Sequence, residues 1–353
     1  MRYQKHISIS FIFFLTFLYA SFSFAQSSSI TNGLTYLQST QSLEGYWGDV
    51  SEVPYNSFVD TCTVAETLKY LNEIGTAYNT SIQWINTTEI FNSDYLFAKM
   101  LILAQAGIDI SSIRDYLMSL RNDDGGWGAT EGFTSDIKRT TLALQALKAV
   151  NYSDQTVIDN ALSYLLSTQN TDGGFGFYPS PCSGCEGDES NVYMTALVSI
   201  TLQQFQRTTS IATAINKATS YLIAHQNTEG GFGSSLSTVY ETALVYLALV
   251  GDPSTSSGLP LQNAINYLTS TQLPNGSWDD DPYSTALALR ALANVKPNLS
   301  ISSNDISFSN PTPIVGETIT ITAKIKNTGP SQADNVLLQF YAGAPSVGRI
   351  NIG

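Results

Sequence analysis

The sequence predicts a mainly α protein, an (α/α)6 toroid of six helical pairs followed by a partial antiparallel β-sandwich. Three observations carry that prediction. A Gly-Gly-aromatic turn recurs along the chain, each copy follows a Tyr-Leu helix end, and a Thr-led segment that is apolar nearly all round comes next. The copies read Tyr36-Leu37 to Gly45-Tyr46-Trp47-Gly48, Tyr116-Leu117 to Gly125-Gly126-Trp127-Gly128, Tyr164-Leu165 to Gly173-Gly174-Phe175-Gly176, Tyr221-Leu222 to Gly230-Gly231-Phe232-Gly233, and Tyr267-Leu268 to Gly276-Ser277-Trp278.

The first helix of each pair carries apolar residues three and four positions before its Tyr-Leu, which makes an amphipathic stripe, and the glycines that follow end it. The second helix opens at Thr140, Thr195, Thr242 and Thr285 and continues through Leu142, Leu197, Leu244 and Leu287. A helix that is apolar all round must be buried on most sides, whereas a striped one needs only one covered face. The second helices therefore form an inner ring and the first helices an outer one. From Trp127 to Trp278 the turn aromatics recur roughly every 50 residues, but Trp47 and Trp127 stand 80 residues apart. A further pair is expected between them, with Ile82–Ile90 as a degenerate outer helix that lacks its Gly-Gly turn and Tyr95–Ala106 as its inner partner. Six pairs can close into a barrel of helices and so remove the exposed ends that an open array must cap.

On these residues the chain resembles the α/α toroid of the squalene and terpenoid cyclases and of the protein prenyltransferase β subunits. The Gln…Gly-x-Trp pattern of that family stands at Gln41–Trp47 and Gln272–Trp278, with Phe in the aromatic place at Gln169–Phe175 and Gln226–Phe232. The resemblance implies the fold over 26–296 far more specifically than any chemistry, because folds host many functions.

The first 25 residues read as an export signal: Arg2 and Lys5 precede an apolar run from Ile7 to Phe24, and Ser23-Phe24-Ala25 fits a small-x-small cleavage site. A secreted or cell-surface protein of a bacterium is expected, with no membrane-spanning segment after cleavage. The 16 Lys and Arg against 29 Asp and Glu give a net charge of −13, which repels phosphate backbones and argues against nucleic-acid binding. In an exported chain the Cys182-Ser183-Gly184-Cys185 loop predicts a local disulfide between Cys182 and Cys185, with Cys62 free.

The last segment, 297–353, changes to alternating residues such as Thr318-Ile319-Thr320-Ile321-Thr322, punctuated by Pro311 and Pro313. That is the pattern of a β-sandwich. The run from Gly316 to Ile321, then Lys326-Asn327-Thr328-Gly329 and Val336 to Gly343, resembles the CARDB module, an Ig-like domain of bacterial surface and secreted proteins. A full sandwich of that kind needs about 100 residues, so this one is incomplete, and further domains of a longer surface protein are a possible continuation.

In such a toroid the residues at and just before the start of each inner helix line one mouth of a central cavity. These predict ligand-binding candidates Tyr193, Tyr240, Tyr283, Asp60, Asp94 and Asp136. For the carboxylates the competing reading is helix capping, and for the tyrosines it is packing between repeats. Glu241 and the Asp279, Asp280, Asp281 run are the candidates for acid chemistry, although Ser284 and an intervening Pro282 break the Asp-x-Asp-Asp-Thr-Ala motif that the resemblance would imply. Asp60 and Cys62 copy half of a prenyltransferase zinc site, but Arg139, Met194, Glu241 and Ser284 occupy the places where its histidine would stand, so no metal and no cofactor is expected. His225, at an outer helix end, reads as a packing residue. The function expected from these residues is binding of a small apolar, glycan or peptide ligand, with a spacer or adhesion role for the tail. The alternative is a secreted terpene cyclase-like or prenyltransferase-like enzyme with non-standard catalytic residues, and a plugged toroid serving as a plain spacer is the third reading.

Overall fold

The computed structural model describes residues 23–49, 54–179, 188–252, 255, 258–295, 299–314 and 316–327, with short pieces at 336, 338, 341–342 and 350–351. Cys182 and Cys185 lie outside these residues. So does the expected export signal, except for its last three residues, which open the first helix. Residues Ser29–Asn294 form one compact unit, and the residues from Val295 onward belong to another.

Among the described residues twelve helices make the first unit. The outer ones are α1 (Ser23–Thr40), α3 (Thr76–Thr87), α5 (Ser111–Ser119), α7 (Gln155–Ser167), α9 (Thr209–Ala224) and α11 (Leu259–Ser270). The inner ones are α2 (Pro54–Tyr70), α4 (Ser93–Gln105), α6 (Ile137–Ala149), α8 (Val192–Leu202), α10 (Val239–Gly251) and α12 (Pro282–Ala293). Each inner helix packs against the next, and α12 returns onto α2, so the ring is closed. Burial follows the pattern read from the sequence. Nearly every residue of α10 from Val239 to Leu249 is buried, whereas α11 buries only Leu261, Ala264, Ile265 and Leu268, at helical spacing.

The repeated residues hold each turn through the same hydrogen bonds. The backbone N–H of the turn aromatic donates to the hydroxyl of the repeat threonine: Trp47 to Thr61 at 3.0 Å, Trp127 to Thr140 at 3.0 Å, Phe175 to Thr195 at 2.9 Å, Phe232 to Thr242 at 2.9 Å and Trp278 to Thr285 at 2.9 Å. The indole N–H of each tryptophan donates to the carbonyl of the outer-helix leucine, Leu37, Leu117 or Leu268. The repeat glutamine then stitches the turn to the following outer helix, Gln226 Nε2 donating to the Gly230 and Pro260 carbonyls at 2.8 Å each. At the closing seam Gln272 reaches the carbonyl of Ser29 in α1, and the Tyr36 hydroxyl donates to the carbonyl of Asp280. Gly276 has φ +91°, and a Cβ there would run into the Asn32 carbonyl of α1, so this left-handed position in the turn after α11, which itself stops at Ser270, admits the first helix.

Replacing Thr242 with Val keeps the shape and removes the hydroxyl, which strands the buried N–H of Phe232. We expect a loss of about 1–3 kcal/mol, read from a urea transition; a loss near zero would mean that the turn does not depend on this bond.

The second pair departs from the expected boundaries, α3 starting earlier than Ile82 and ending before Ile90. Its missing turn is replaced by side chains. Lys99 of α4 is buried and donates to the carbonyls of Asn86 and Thr88 at the end of α3, at 3.0 and 2.7 Å, a cation at a helix C-terminus. Trp84 supplies the aromatic from inside α3 and packs on Phe58 of α2 at 5.8 Å between ring centroids.

In the second unit the described strands form three two-stranded antiparallel ladders. β1 (Leu299–Ser300) pairs with β4 (Lys326–Asn327), and β2 (Ile306–Phe308) pairs with β3 (Ile321–Ala323) with Ser307 opposite Thr322. β5 (Tyr341–Ala342) pairs with β6 (Ile350–Asn351). Among the described residues no helix is long and apolar enough to cross a membrane.

Candidate functional site

The inner helices surround a cavity of about 390 Å3 whose lining can be read in layers along those helices. Two residues after each repeat threonine, or its counterpart Leu96 in α4, stand Thr63, Ala98, Leu142, Leu197, Leu244 and Leu287, and all six face the cavity as a largely apolar collar. Nearer the helix N-termini the mouth carries Val59, Asp94, Tyr95, Lys138, Tyr193 and Tyr283. Nearer the C-termini the wall turns polar, with Glu66, Gln145, Arg290, Gln105, Lys148 and Gln204.

The mouth is built by aromatic contacts and by charge. Tyr240 sits between Tyr193 and Tyr283, at 6.2 and 6.1 Å from their rings, and Phe177 stacks on Tyr193. Tyr193 and Tyr283 line the cavity, while Tyr240 joins them into one aromatic arc. Burial pushes the Tyr283 phenol well above its ordinary range, and the adjacent Tyr193 adds to the effect. On the opposite side Asp94 lies 2.6 Å from Arg139 and 3.2 Å from Lys138, while Arg139 also reaches Asp136 at 2.5 Å. The Asp94–Arg139 approach is off the line of a hydrogen bond, so charge pairing rather than directed bonding joins α4 to α6 there.

The other acidic candidates serve local structure. Asp136 accepts the N–H of Arg139 and Asp281 that of Ser284, each capping its helix, and Glu241 accepts the Thr238 hydroxyl at 2.7 Å. Asp280 accepts from Asn275 and Ser277 in a turn where Asp279 and Asp280 both have positive φ. Cys62 is a buried free thiol on the cavity wall, pushed up by burial first and by Glu66 second. Among the described residues no group of three or more His, Cys, Asp or Glu could hold a metal ion. The His225 ring stacks on Tyr221 with centroids 4.0 Å apart.

Asp60 differs from these. It is half-buried beside cavity-lining Val59, and burial first, then the charge of Asp281, raises its pKa to about 7. A carboxyl whose folded pKa exceeds its unfolded value binds an extra proton in the folded state. Its contribution to stability is then intact below about pH 4 and is lost as pH rises to about 7. Asp60→Asn should remove that decline, seen as a flatter dependence of melting temperature between pH 4 and 7; an unchanged slope would mean that Asp60 titrates like an ordinary carboxylate.

Sequence reasoning passed over the Glu66–Arg290 pair, which joins α2 to α12 at 2.6 Å inside the cavity. The signal was present: both residues stand five after a repeat threonine, at an inward position held by Leu101 and Ile200 in α4 and α8. Charge on an otherwise apolar inner face, in the first and last inner helices, marks the seam.

A closed double ring of helices around an apolar-collared cavity defines a terpene-cyclase-like α/α toroid. The prenyltransferase α/α toroid domain model matches residues 3–183 and 63–277, and the chain belongs to that family. A CARDB model matches residues 296–353. Drimenyl diphosphate synthase of Streptomyces showdoensis is 30% identical over 199 residues, covering 52% of this chain and 36% of that protein. Squalene–hopene cyclase of Zymomonas mobilis subsp. mobilis is 32% identical over 139 residues, covering 36% of this chain and 21% of that protein. The chain thus spans about a third or less of the curated relatives it matches. In structure it is similar to type II terpene cyclase MstE from Scytonema, with a TM-score of 0.59 and 16% identity over 76% of this chain and 97% of that one. It is also similar to ent-copalyl diphosphate synthase from Streptomyces platensis, with a TM-score of 0.53 and 20% identity over 67% of this chain and 50% of that one.

Proposed function

We propose that the toroid is a terpene-cyclase-like protein that holds an isoprenoid chain in its central cavity and acts on it there. The collar of Leu142, Leu197, Leu244 and Leu287 with Ala98 and Thr63 carries this reading, because it offers a branched hydrocarbon a continuous apolar wall in a cavity of a size usual for small ligands. The terpene-cyclase relatives support it and favour this enzyme-like alternative over the expected module that only binds a small apolar, glycan or peptide ligand. Asp60 is the carboxyl assigned as proton donor: it follows cavity-lining Val59 in α2 without itself lining the cavity, and burial lifts it to about 7, while the other raised mouth carboxyl, Asp136, is held by Arg139, and Asp94 by Lys138 and Arg139. Its proton adds to a terminal alkene, whose π pair forms the new C–H bond. Neighbouring alkenes close rings onto the resulting cation, and loss of a proton back to the carboxylate ends the sequence. The rings of Tyr193 and Tyr283 on the cavity wall attract a cation formed beside them. Export through residues 1–25 places the protein outside the cytoplasm in this proposal.

Farnesol titrated into the protein and followed by native mass spectrometry tests the site. Stoichiometric binding is expected, with loss of binding in Leu197→Trp, whose indole fills the collar, at an unchanged melting temperature. Farnesol bound equally by the variant would remove the cavity from the reading. Product analysis tests the chemistry: Asp60→Asn should keep binding and lose all conversion, and conversion by the variant at the native rate would sink the assignment of Asp60.

A further inference from the structure

We infer that the ligand of this cavity carries a neutral, hydroxyl-type polar head, seated at the end where the inner helices terminate, and not a diphosphate; this rests on the isoprenoid reading above. The charges on the cavity wall are the ground for it. Glu66 and Asp94 stand against Lys138, Lys148 and Arg290, a surplus of a single positive charge. Two of the three cations are already matched, Lys138 to Asp94 at 3.2 Å and Arg290 to Glu66 at 2.6 Å, and Lys148 lies over the Phe205 ring. A diphosphate brings several negative charges, and burying them without matching cations is strongly unfavourable.

Neither end of the cavity supplies what the wall lacks. At the mouth, side chains of Asn92, Asp136, Asn191, Thr238 and Asp281 already accept from the N-terminal N–H groups of α4, α6, α8, α10 and α12, Lys138 is held by Asp94, and Arg139 by Asp94 and Asp136. At the far end the inner helices present their C-termini, whose partial negative charge opposes an anion. Gln105 closes α4 there, Gln204 follows the end of α8, and Gln145 donates to the Thr201 hydroxyl one turn deeper in the wall. Amide side chains both donate and accept, and so does a hydroxyl. Half-buried Gln105 and exposed Gln204, at the open end of the lining, make no side-chain hydrogen bond to the described residues, which leaves both able to meet one. With the head at that end, the chain crosses the leucine collar toward the mouth lined by Val59, Tyr193 and Tyr283.

Three probes of one chain length separate the possibilities: farnesol, farnesyl diphosphate and the hydrocarbon farnesene, each titrated into the full protein by calorimetry in detergent below its micelle concentration. Farnesol should bind roughly tenfold more tightly than farnesene, the effect of one well-formed hydrogen-bonded head, and more tightly than farnesyl diphosphate. In the double variant Gln105→Leu, Gln204→Leu the advantage of farnesol over farnesene should vanish while farnesene binding stays, which shows that the fold is intact. Farnesyl diphosphate bound as tightly as farnesol would overturn this inference and leave the isoprenoid reading standing. Equal affinities for farnesol and farnesene in the native protein would also overturn it. Binding of none of the three would overturn the isoprenoid reading itself.

Discussion

Truncating Trp278 to Ala is expected to destabilise the whole toroid by about 3–5 kcal/mol. The indole is completely buried, its N–H donates to the Leu268 carbonyl at 2.6 Å, and its ring lies where Gly33 lets α1 approach the last repeat. Its loss leaves a cavity at the seam that closes the ring. It also removes the shorter of two side-chain hydrogen bonds to the Leu268 carbonyl, the Thr271 hydroxyl giving the other at 3.3 Å. Trp278→Phe is the control, since Phe175 and Phe232 occupy the same place in their repeats with no such donor, and it should cost about 1 kcal/mol. Both values are read from denaturant transitions monitored by circular dichroism. A loss below about 1 kcal/mol for the alanine variant would mean that the turn aromatics do not hold the ring together.

Removing Arg139 should be nearly as damaging, for an electrostatic reason. Its guanidinium lies between Asp94 and Asp136, and the side chains of all three are at most 17% exposed. Arg139→Met would leave Asp136 without a cation and Asp94 with Lys138 alone, a loss of about 3 kcal/mol at neutral pH. Burial already raises the pKa of Asp136, and losing the guanidinium removes its side-chain hydrogen bond and its charge, two of the influences that lower it, while the backbone N–H bond stays, so part of the stability should return as pH falls and the carboxyl takes up a proton. Arg114→Met, which breaks an ion pair exposed at the surface, should change stability by no more than about 0.5 kcal/mol. Equal effects of the two substitutions in thermal unfolding would show that the mouth network is solvated and contributes little.

The acidic residues show how much of the site could be read in advance. Asp136, Asp281 and Glu241 stand at helix starts in the sequence, and the structure gives each a local hydrogen bond there. Asp94 stands at a similar place, yet its charge is taken by two residues of the next inner helix, far along the chain. Asp60 gave no local sign of its raised pKa. Its desolvation comes from the packing of α2 into the ring, and its second influence, Asp281, caps α12, far along the chain but next to α2 in the closed ring.

The terpene-cyclase-like fold was legible because it is a repeat. Each Gly-Gly-aromatic turn, its threonine and its glutamine interact within one or two consecutive helices, and five similar copies repeat the same local physics. The leucine collar was legible for the same reason, since a fixed offset from each threonine places one residue per helix on the inner wall. The closure of α12 onto α2, the Glu66–Arg290 pair across that seam and the substitution of Lys99 for a missing turn were decided by tertiary structure. These contacts occur once each, between residues of different repeats, and periodicity carries no information about an interaction that does not recur.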